Sequence, residues 1–220
     1  FQKLLREAAF DALGASHPQD CRFSNFSLDY YSPQPLANGV VPRQRMAQVK
    51  NFCSDYARDF FVERHSFSKA QSSPSLLFLG NTGLGKTHLS LAIAGQVINK
   101  GYGVIYGSAQ NLLAKLEKEK FSFNNTEDQP QSYLSLVLEC DLLILDDLGT
   151  EFLSQFVTAM LYNIINTRLL EGRPTIISTN LSFQEISKRY TDRLTSRLFG
   201  GYIHFEFLGR DIRIQSKIMG

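Results

Sequence analysis

The chain has 220 residues, 43% of them hydrophobic, which suffices to bury the core of one α/β domain and excludes a fibre or a solvated disordered chain. Its 23 Lys and Arg nearly balance 21 Asp and Glu, so the net charge of +2 does not by itself argue for nucleic acid, and any basic patch must be local. No apolar run approaches the length of a membrane span and no leader pattern opens the chain, so the expectation is a soluble, cytoplasmic protein without a membrane partner.

Phe1 to Ala12 has helical spacing, and Leu13 to Asn38 then turns rich in Ser, Pro, Asn and aromatics, which reads as an extended connector. Arg43 to Glu63 regains helical spacing, and Ser66 to Pro74 is a polar lead-in. Ser75 to Leu79 is a short apolar run that reads as a buried strand, and His88 to Lys100 carries Leu89, Leu91, Ile93 and Val97 in a helical pattern. Gly103 to Tyr106 predicts a second strand, Gln110 to Glu119 a helix, Phe121 to Gln131 a loop, Tyr133 to Glu139 a short helix, and Asp141 to Leu145 a strongly apolar strand. Phe152 to Leu170 predicts a long helix and Thr175 to Ser178 a fourth strand. Two short helices, Gln184 to Tyr190 and Asp192 to Leu198, lead to a fifth strand at Tyr202 to Phe207. This alternation implies a mostly parallel sheet with helices on both faces. Cys21, Cys53 and Cys140 are odd in number, far apart and without His at ligand spacing, which supports neither a disulfide framework nor a zinc site. The chain begins at Phe1 rather than Met, as a piece of a longer protein would.

Gly80-Asn81-Thr82-Gly83-Leu84-Gly85-Lys86-Thr87 matches G-x-x-x-x-G-K-[ST] and lies between a predicted strand and a predicted helix, the context the motif requires. A nucleoside triphosphate brings several negative charges, and a loop holds them only if its N–H groups point inward and no Cβ blocks the approach, which suits glycine. The helix that follows aims its positive end at the same phosphates, Lys86 reaches the β and γ groups, and the Thr87 hydroxyl helps hold Mg²⁺.

About sixty residues later, Leu142-Leu143-Ile144-Leu145-Asp146-Asp147 ends a buried strand on two carboxylates, at the place where open α/β sheets hold ligands. Beside a phosphate loop, Asp146 would support Mg²⁺ directly or through water and Asp147 would orient or activate the attacking water. Thr175-Ile176-Ile177-Ser178-Thr179-Asn180 repeats the arrangement with a neutral end. Asn180 either hydrogen-bonds the γ-phosphate or the attacking water, or caps the next helix or makes a turn. Arg193 and Arg197, four apart, share one helical face. They either reach a neighbouring subunit's γ-phosphate as arginine fingers or belong to a solvated face of little energetic weight.

With these elements in order the chain resembles the AAA+ ATPases, and among them the DnaC/DnaI-like helicase loaders and the closely similar IstB-like transposition helper ATPases. The resemblance runs from about Cys21 to Lys217 and includes Phe23-Ser24-Asn25-Phe26 with Tyr30-Tyr31, Gly101-Tyr102-Gly103-Val104-Ile105-Tyr106, and Phe207-Leu208-Gly209-Arg210-Asp211-Ile212-Arg213. It implies a P-loop three-layer sandwich with a mostly parallel five-stranded sheet and a short or absent lid. Residues 1–65 would be a helical extension and connector, and 66–220 the ATPase domain.

By the same resemblance Gly80 to Thr87, with His88, look like Walker A, Asp146 and Asp147 like Walker B, Asn180 like sensor I, Arg197 like the arginine finger with Arg193 as helper, and Arg213 like sensor II. Phe23 and Phe26 either shape the adenine pocket or belong to the core. The implied cofactors are ATP and Mg²⁺. The implied activity is ATP hydrolysis that controls loading of a replicative hexameric helicase onto single-stranded DNA, with self-association through Arg197 in trans. The alternative is a transposition helper acting with a transposase on duplex DNA. The common Walker B pattern ends in Asp-Glu, whereas Asp147 is one methylene shorter, which fits slow hydrolysis stimulated by partners. Lys115, Lys118 and Lys120 with Phe121 and Phe123 either contact DNA or, interleaved with Glu117 and Glu119, form a solvated helix.

Overall fold

The computed structural model describes residues 20–63, 72–122 and 132–219. The predicted helix at Phe1 to Ala12 lies outside them, as do most of the Ser66 to Pro74 lead-in and residues 123–131 of the predicted loop. A 3₁₀ turn at Phe23–Asn25 precedes helix α1 (Pro42–Arg58), which starts on a proline, where a missing N–H removes no helix bond. The α/β alternation then runs β1 (Ser75–Leu79), α2 (Lys86–Asn99), β2 (Val104–Ser108), α3 (Ala109–Ser122), α4 (Tyr133–Glu139), β3 (Leu142–Leu148), α5 (Gln155–Leu170), β4 (Thr175–Thr179), α6 (Phe183–Arg189), α7 (Asp192–Gly201), β5 (Tyr202–Glu206) and α8 (Ile212–Met219).

The strands form one sheet in the order β2-β3-β4-β1-β5, and every pairing is parallel. Side chains alternate between its faces with the strand period of two. Leu76, Phe78, Leu142, Ile144 and Ile176 pack with Met46, Val49 and Cys53 of α1 and with Leu89, Ile93 and Val97 of α2. Leu77, Leu79, Leu143, Leu145 and Ile177 face the other way, toward α3, α5, α6 and α7. Both clusters are essentially dry, and each fully buried Leu or Ile contributes about 1.5–3 kcal/mol. The result is three layers, with the P-loop NTPase architecture expected of the sequence.

Several boundaries differ from the periodicity. Helix α1 stops at Arg58 rather than Glu63, because Phe60 turns inward against Tyr56 and Tyr102 while Lys100 Nζ donates to the Arg58 and Phe60 carbonyls at 2.7 and 2.9 Å. Helix α5 begins at Gln155 rather than Phe152, since Ser154 Oγ accepts from Val157 N at 3.1 Å and sets the start. Phe152 is left 86% exposed. Strand β3 runs on to Leu148 through an irregularity between Leu145 and Leu148, and α8 is a helix that the sequence pattern did not suggest.

One buried cation ties the layers together. Arg168 of α5, fully enclosed, donates from Nη1 to the carbonyls of Val137, Leu138 and Cys140, from Nη2 to Pro174 O, and from Nε to Thr175 Oγ1, all within 3.0 Å. A guanidinium deprived of water needs such a full set of acceptors. Here they are the end of α4, the turn into β3 and the start of β4.

Candidate functional site

The loop from Gly80 to Thr87 joins β1 to α2 at the C-terminal edge of the sheet. Gly83 and Gly85 have φ of 73° and 85°, a left-handed backbone in which a side chain is strained. A Cβ on Gly83 would run into the Asp211 carboxylate, and one on Gly85 into the Phe26 ring. The conformation is held from outside by Tyr31, whose hydroxyl donates to Leu84 O at 3.0 Å.

Lys86 is only 5% exposed, and its Nζ donates to Gly80 O at 2.5 Å, Asn81 O at 2.8 Å and Asn180 Oδ1 at 2.7 Å. All three acceptors are neutral. Burial, opposed by the charges of Asp147 and Asp146 and reinforced by Arg213, pulls its pKa from 10.5 to about 8. Lys86 has no ion-pair partner within 4 Å among the described residues. A buried ammonium whose hydrogen-bond acceptors are all neutral, set among open-backbone glycines, is what a polyphosphate fits.

Asp146 is buried, and hydroxyls from three elements converge on it. Thr87 Oγ1 donates to Oδ2 at 2.8 Å, the Tyr106 hydroxyl donates to the same oxygen at 2.6 Å, and Ser178 Oγ donates to Oδ1. Thr87 and Asp146 form the kind of hard-oxygen pair that Mg²⁺ takes beside phosphates. Asp147 adopts φ 53°, uncommon for a residue with a side chain though tolerated by Asp, and its N–H donates to Ser178 Oγ at 3.0 Å. Burial, then the neighbouring Asp146, raises its pKa against the pull of Lys86 and Arg213. A carboxylate of raised basicity facing the cavity suits a group that orients water.

A cavity of about 350 Å³ gathers Lys86, Thr87, Asp147 and Asn180, whereas the buried Asp146 is not part of its lining. Its floor is Thr82 to His88, its walls include Asp147, Asn180, Ile212 and Arg213, and its upstream side is Asn25, Phe26, Ser27 and Tyr30. Phe26 is both core and pocket wall: it is 5% exposed, stacks with Tyr31 and meets His88 edge-on. Phe23 packs against the core and does not line the cavity. Gly80 and Asn81 do not line this cavity but a second, larger groove, which Asn180 borders as well. Asn180 does not cap α6, since Ser182 does so in a reciprocal capping box with Glu185.

The structure separates the three arginines. Arg213, at the start of α8, lines the cavity and is paired to Asp211 at 3.3 Å, the carboxylate that closes over Gly83. Arg193 and Arg197 lie exposed on α7, outside this cavity. The lysines of α3 have local work: Lys115 Nζ sits 3.8 Å from the Tyr133 ring centroid and Lys120 Nζ 4.7 Å from that of Phe156, while Glu119 accepts from Tyr133 N at 2.7 Å. The charged run thus also knits α3 to α4 and α5.

Periodicity did not single out Tyr106, Ser178 or Asp211. Alternation along β4 holds the signal for Ser178, which sits two positions before Asn180.

A family model described as IstB-like ATP binding protein matches residues 51–206, most of the chain and all five strands. The chain belongs to this family. Among curated relatives, this IstB-like protein is 27% identical over 124 residues to the replicative helicase loader DnaC of Escherichia coli (strain K12), covering 56% of the chain and 49% of DnaC. It is 28% identical over 148 residues to an ATP-binding protein assigned to insertion sequence IS5376 of Geobacillus stearothermophilus, covering 65% and 57%. The chain thus spans about half the length of the curated relatives it matches. The crystal structure of the DnaC helicase loader superposes with a TM-score of 0.64 at 22% identity, covering 87% of this chain and 99% of that one. That of DnaI superposes with a TM-score of 0.63 at 18% identity, covering 90% and 94%. At these identities the structural likeness bears on the fold alone, a three-layer α/β domain with the phosphate loop between β1 and α2. Among the described residues no helix is long and apolar enough to cross a membrane.

Proposed function

We propose that this IstB-like protein is an ATP-hydrolysing switch that loads a replicative helicase onto single-stranded DNA, its ATP site completed by a second copy. One observation carries the shared site. Lys86, Asp147, Asn180 and Arg213 line one cavity, whereas Arg193 and Arg197 are exposed on α7 outside it.

In this reading the loop N–H groups and Lys86 hold the β- and γ-phosphates, and Thr87 with Asp146 holds Mg²⁺. The metal, when bound, neutralises phosphate charge and polarises the γ-phosphoryl group. Asp147 orients the attacking water and accepts its proton. Asn180, which accepts from Lys86, would bond the γ-phosphate, and Arg213 would touch the phosphates in cis. An arginine of the next subunit, Arg197 with Arg193 beside it, would meet the charge that develops on the transferring group. The shorter reach of Asp147, compared with a glutamate, favours slow turnover, as suits a switch.

Similarity to DnaC supports the loader assignment. Similarity to insertion-sequence ATP-binding proteins supports a second reading, an ATP-controlled helper of a transposase on duplex DNA. Capture of the full-length protein by its host's replicative helicase and by a co-encoded transposase, with and without ATP, separates them. The loader reading expects ATP-sensitive helicase capture and preference for single strands; transposase capture with duplex preference overturns it. For the shared site, Arg197→Ala is expected to leave nucleotide binding by the isolated subunit intact while removing cooperative hydrolysis. Loss of binding in that subunit contradicts the assignment.

A further inference from the structure

Glu151 lies four residues beyond Asp147, and its carboxylate is 2% exposed in a place where nothing in the nucleotide site needs it. It is fully engaged. Oε2 accepts from Gly149 N at 2.8 Å, inside the turn that leaves the two aspartates. Oε1 accepts from the Tyr190 hydroxyl and stands 3.8 Å from Arg189 Nε, while Arg189 Nη2 donates to the Glu151 backbone carbonyl. A buried carboxylate is costly unless its partners are fixed, so these three groups move together or leave a charge stranded.

Both ends of this cluster are mechanically short. At one end, the Asp147 carbonyl accepts from the Thr150 hydroxyl at 2.9 Å, Leu148 O accepts from Thr179 Oγ1 at 2.6 Å, and Gly149 packs so closely on Leu181 that a Cβ would overlap it. A displacement of Asp147 is therefore passed to Gly149 and Glu151. At the other end, Arg189 closes α6 and Tyr190 follows it. Only Tyr190 and Thr191 separate α6 from α7, and the Thr191 hydroxyl accepts from Leu194 N to set the first turn of the helix that carries Arg193 and Arg197.

We infer that Glu151 is a positioning residue that couples the Asp147 loop of a subunit to the arginines the same subunit offers to its neighbour. The inference rests on the shared-site reading above. ATP in one pocket then sets the angle of α7 and hence the readiness of the adjoining pocket, so that occupancy passes around the assembly in one direction.

Mixing of variant subunits tests this. Glu151→Ala alone should lower hydrolysis in the assembled protein by about tenfold or more. Its affinity for a fluorescent ATP analogue should stay within about twofold, because its own pocket is intact. Asp147→Asn is expected to bind ATP without hydrolysing it, so its pocket is dead while its occupancy still sets its own arginines. In an equal mixture, about a quarter of interfaces pair a Glu151→Ala pocket with arginines from an Asp147→Asn neighbour, and activity should recover to about a quarter of wild type. The Arg193→Ala, Arg197→Ala double variant mixed with Asp147→Asn is the control.

Recovery in both mixtures is the expected result. Recovery in the arginine control alone overturns the coupling and leaves the shared site standing. Recovery in neither overturns the shared site, and the coupling falls with it. Glu151→Gln, whose amide oxygen can accept from Gly149 N while its NH2 donates to the Tyr190 hydroxyl oxygen, should retain most of the activity; a loss equal to that of Glu151→Ala contradicts the hydrogen-bonded linkage. Should Glu151→Ala fail to fold, Tyr190→Phe and Arg189→Met, which leave Glu151 in place, enter the same mixtures with the same expected complementation, and its absence there overturns the inference.

Discussion

Replacing Lys86 by Met and following urea unfolding at pH 7.5 and 9.5 isolates the cost of holding a cation in the phosphate loop. Burial lowers the lysine from 10.5 to about 8 in the folded chain, so between those values the unfolded state binds more protons than the folded one. Stability must then rise with pH across this window, because the penalty is fully present below the folded pKa and fades toward the unfolded one. The drop corresponds to roughly 3 kcal/mol in all. About 2 kcal/mol of it should return between pH 7.5 and 9.5 in the wild-type protein and none of it in Lys86→Met. The difference between the two proteins is the readout, since every other group titrates in both. Stability curves that stay parallel to within about 0.5 kcal/mol would refute the reasoning. The same protonation should reappear in binding. Above pH 8 each ATP bound takes up a proton at Lys86, so affinity should fall by up to about tenfold per pH unit, and a flat profile would show that Lys86 is already charged in the free protein.

Three further substitutions probe the surroundings of the loop. Gly83→Ala forces a side chain into a φ of 73° and against Asp211, so it should cost about 1–2 kcal/mol in urea unfolding and, by pushing α8 away, weaken nucleotide binding at least about tenfold in a fluorescence titration. Arg168→Ala strands five acceptors, three of them in buried contacts, and should lower stability by about 3–5 kcal/mol; an effect below about 1 kcal/mol would mean that water replaces the guanidinium. Tyr106→Phe removes one of the three hydroxyls on Asp146 and should cost about 1 kcal/mol of stability. In the ATP-hydrolysis reading it should also raise the Mg²⁺ concentration needed for half-maximal turnover; an unchanged requirement separates Tyr106 from metal binding.

The strands and the phosphate loop were legible because their signals are local: apolar runs bounded by breakers, and a motif whose glycines answer to backbone geometry. Ser75 to Leu79 and Tyr133 to Glu139 carry the same bounds in sequence pattern and structure. What escaped the pattern depends on contacts between distant segments. Phe60 leaves α1 because Lys100, forty residues on, takes up the last carbonyls. Arg168 sits in an apolar helix with nothing nearby in sequence to identify its acceptors, which come from residues 137–140 and 174–175. Tyr106 and Ser178 serve Asp146 only because parallel pairing sets β2 and β4 on either side of β3. Whether Asn180 caps α6 could not be decided until the neighbouring Ser182 was seen to hold the helix start.

Arg168 also divides the labour between the sheet and what hangs from it. Its guanidinium clamps the chain where it returns from the excursion between β2 and β3, binding the last carbonyls of α4 to the first residues of β4. The anchorage of that excursion is thus set at its base, by a side chain contributed from α5. A displacement of α4 would then be taken up first at this guanidinium, before it reached the strands that lead to Asp146 and Asn180.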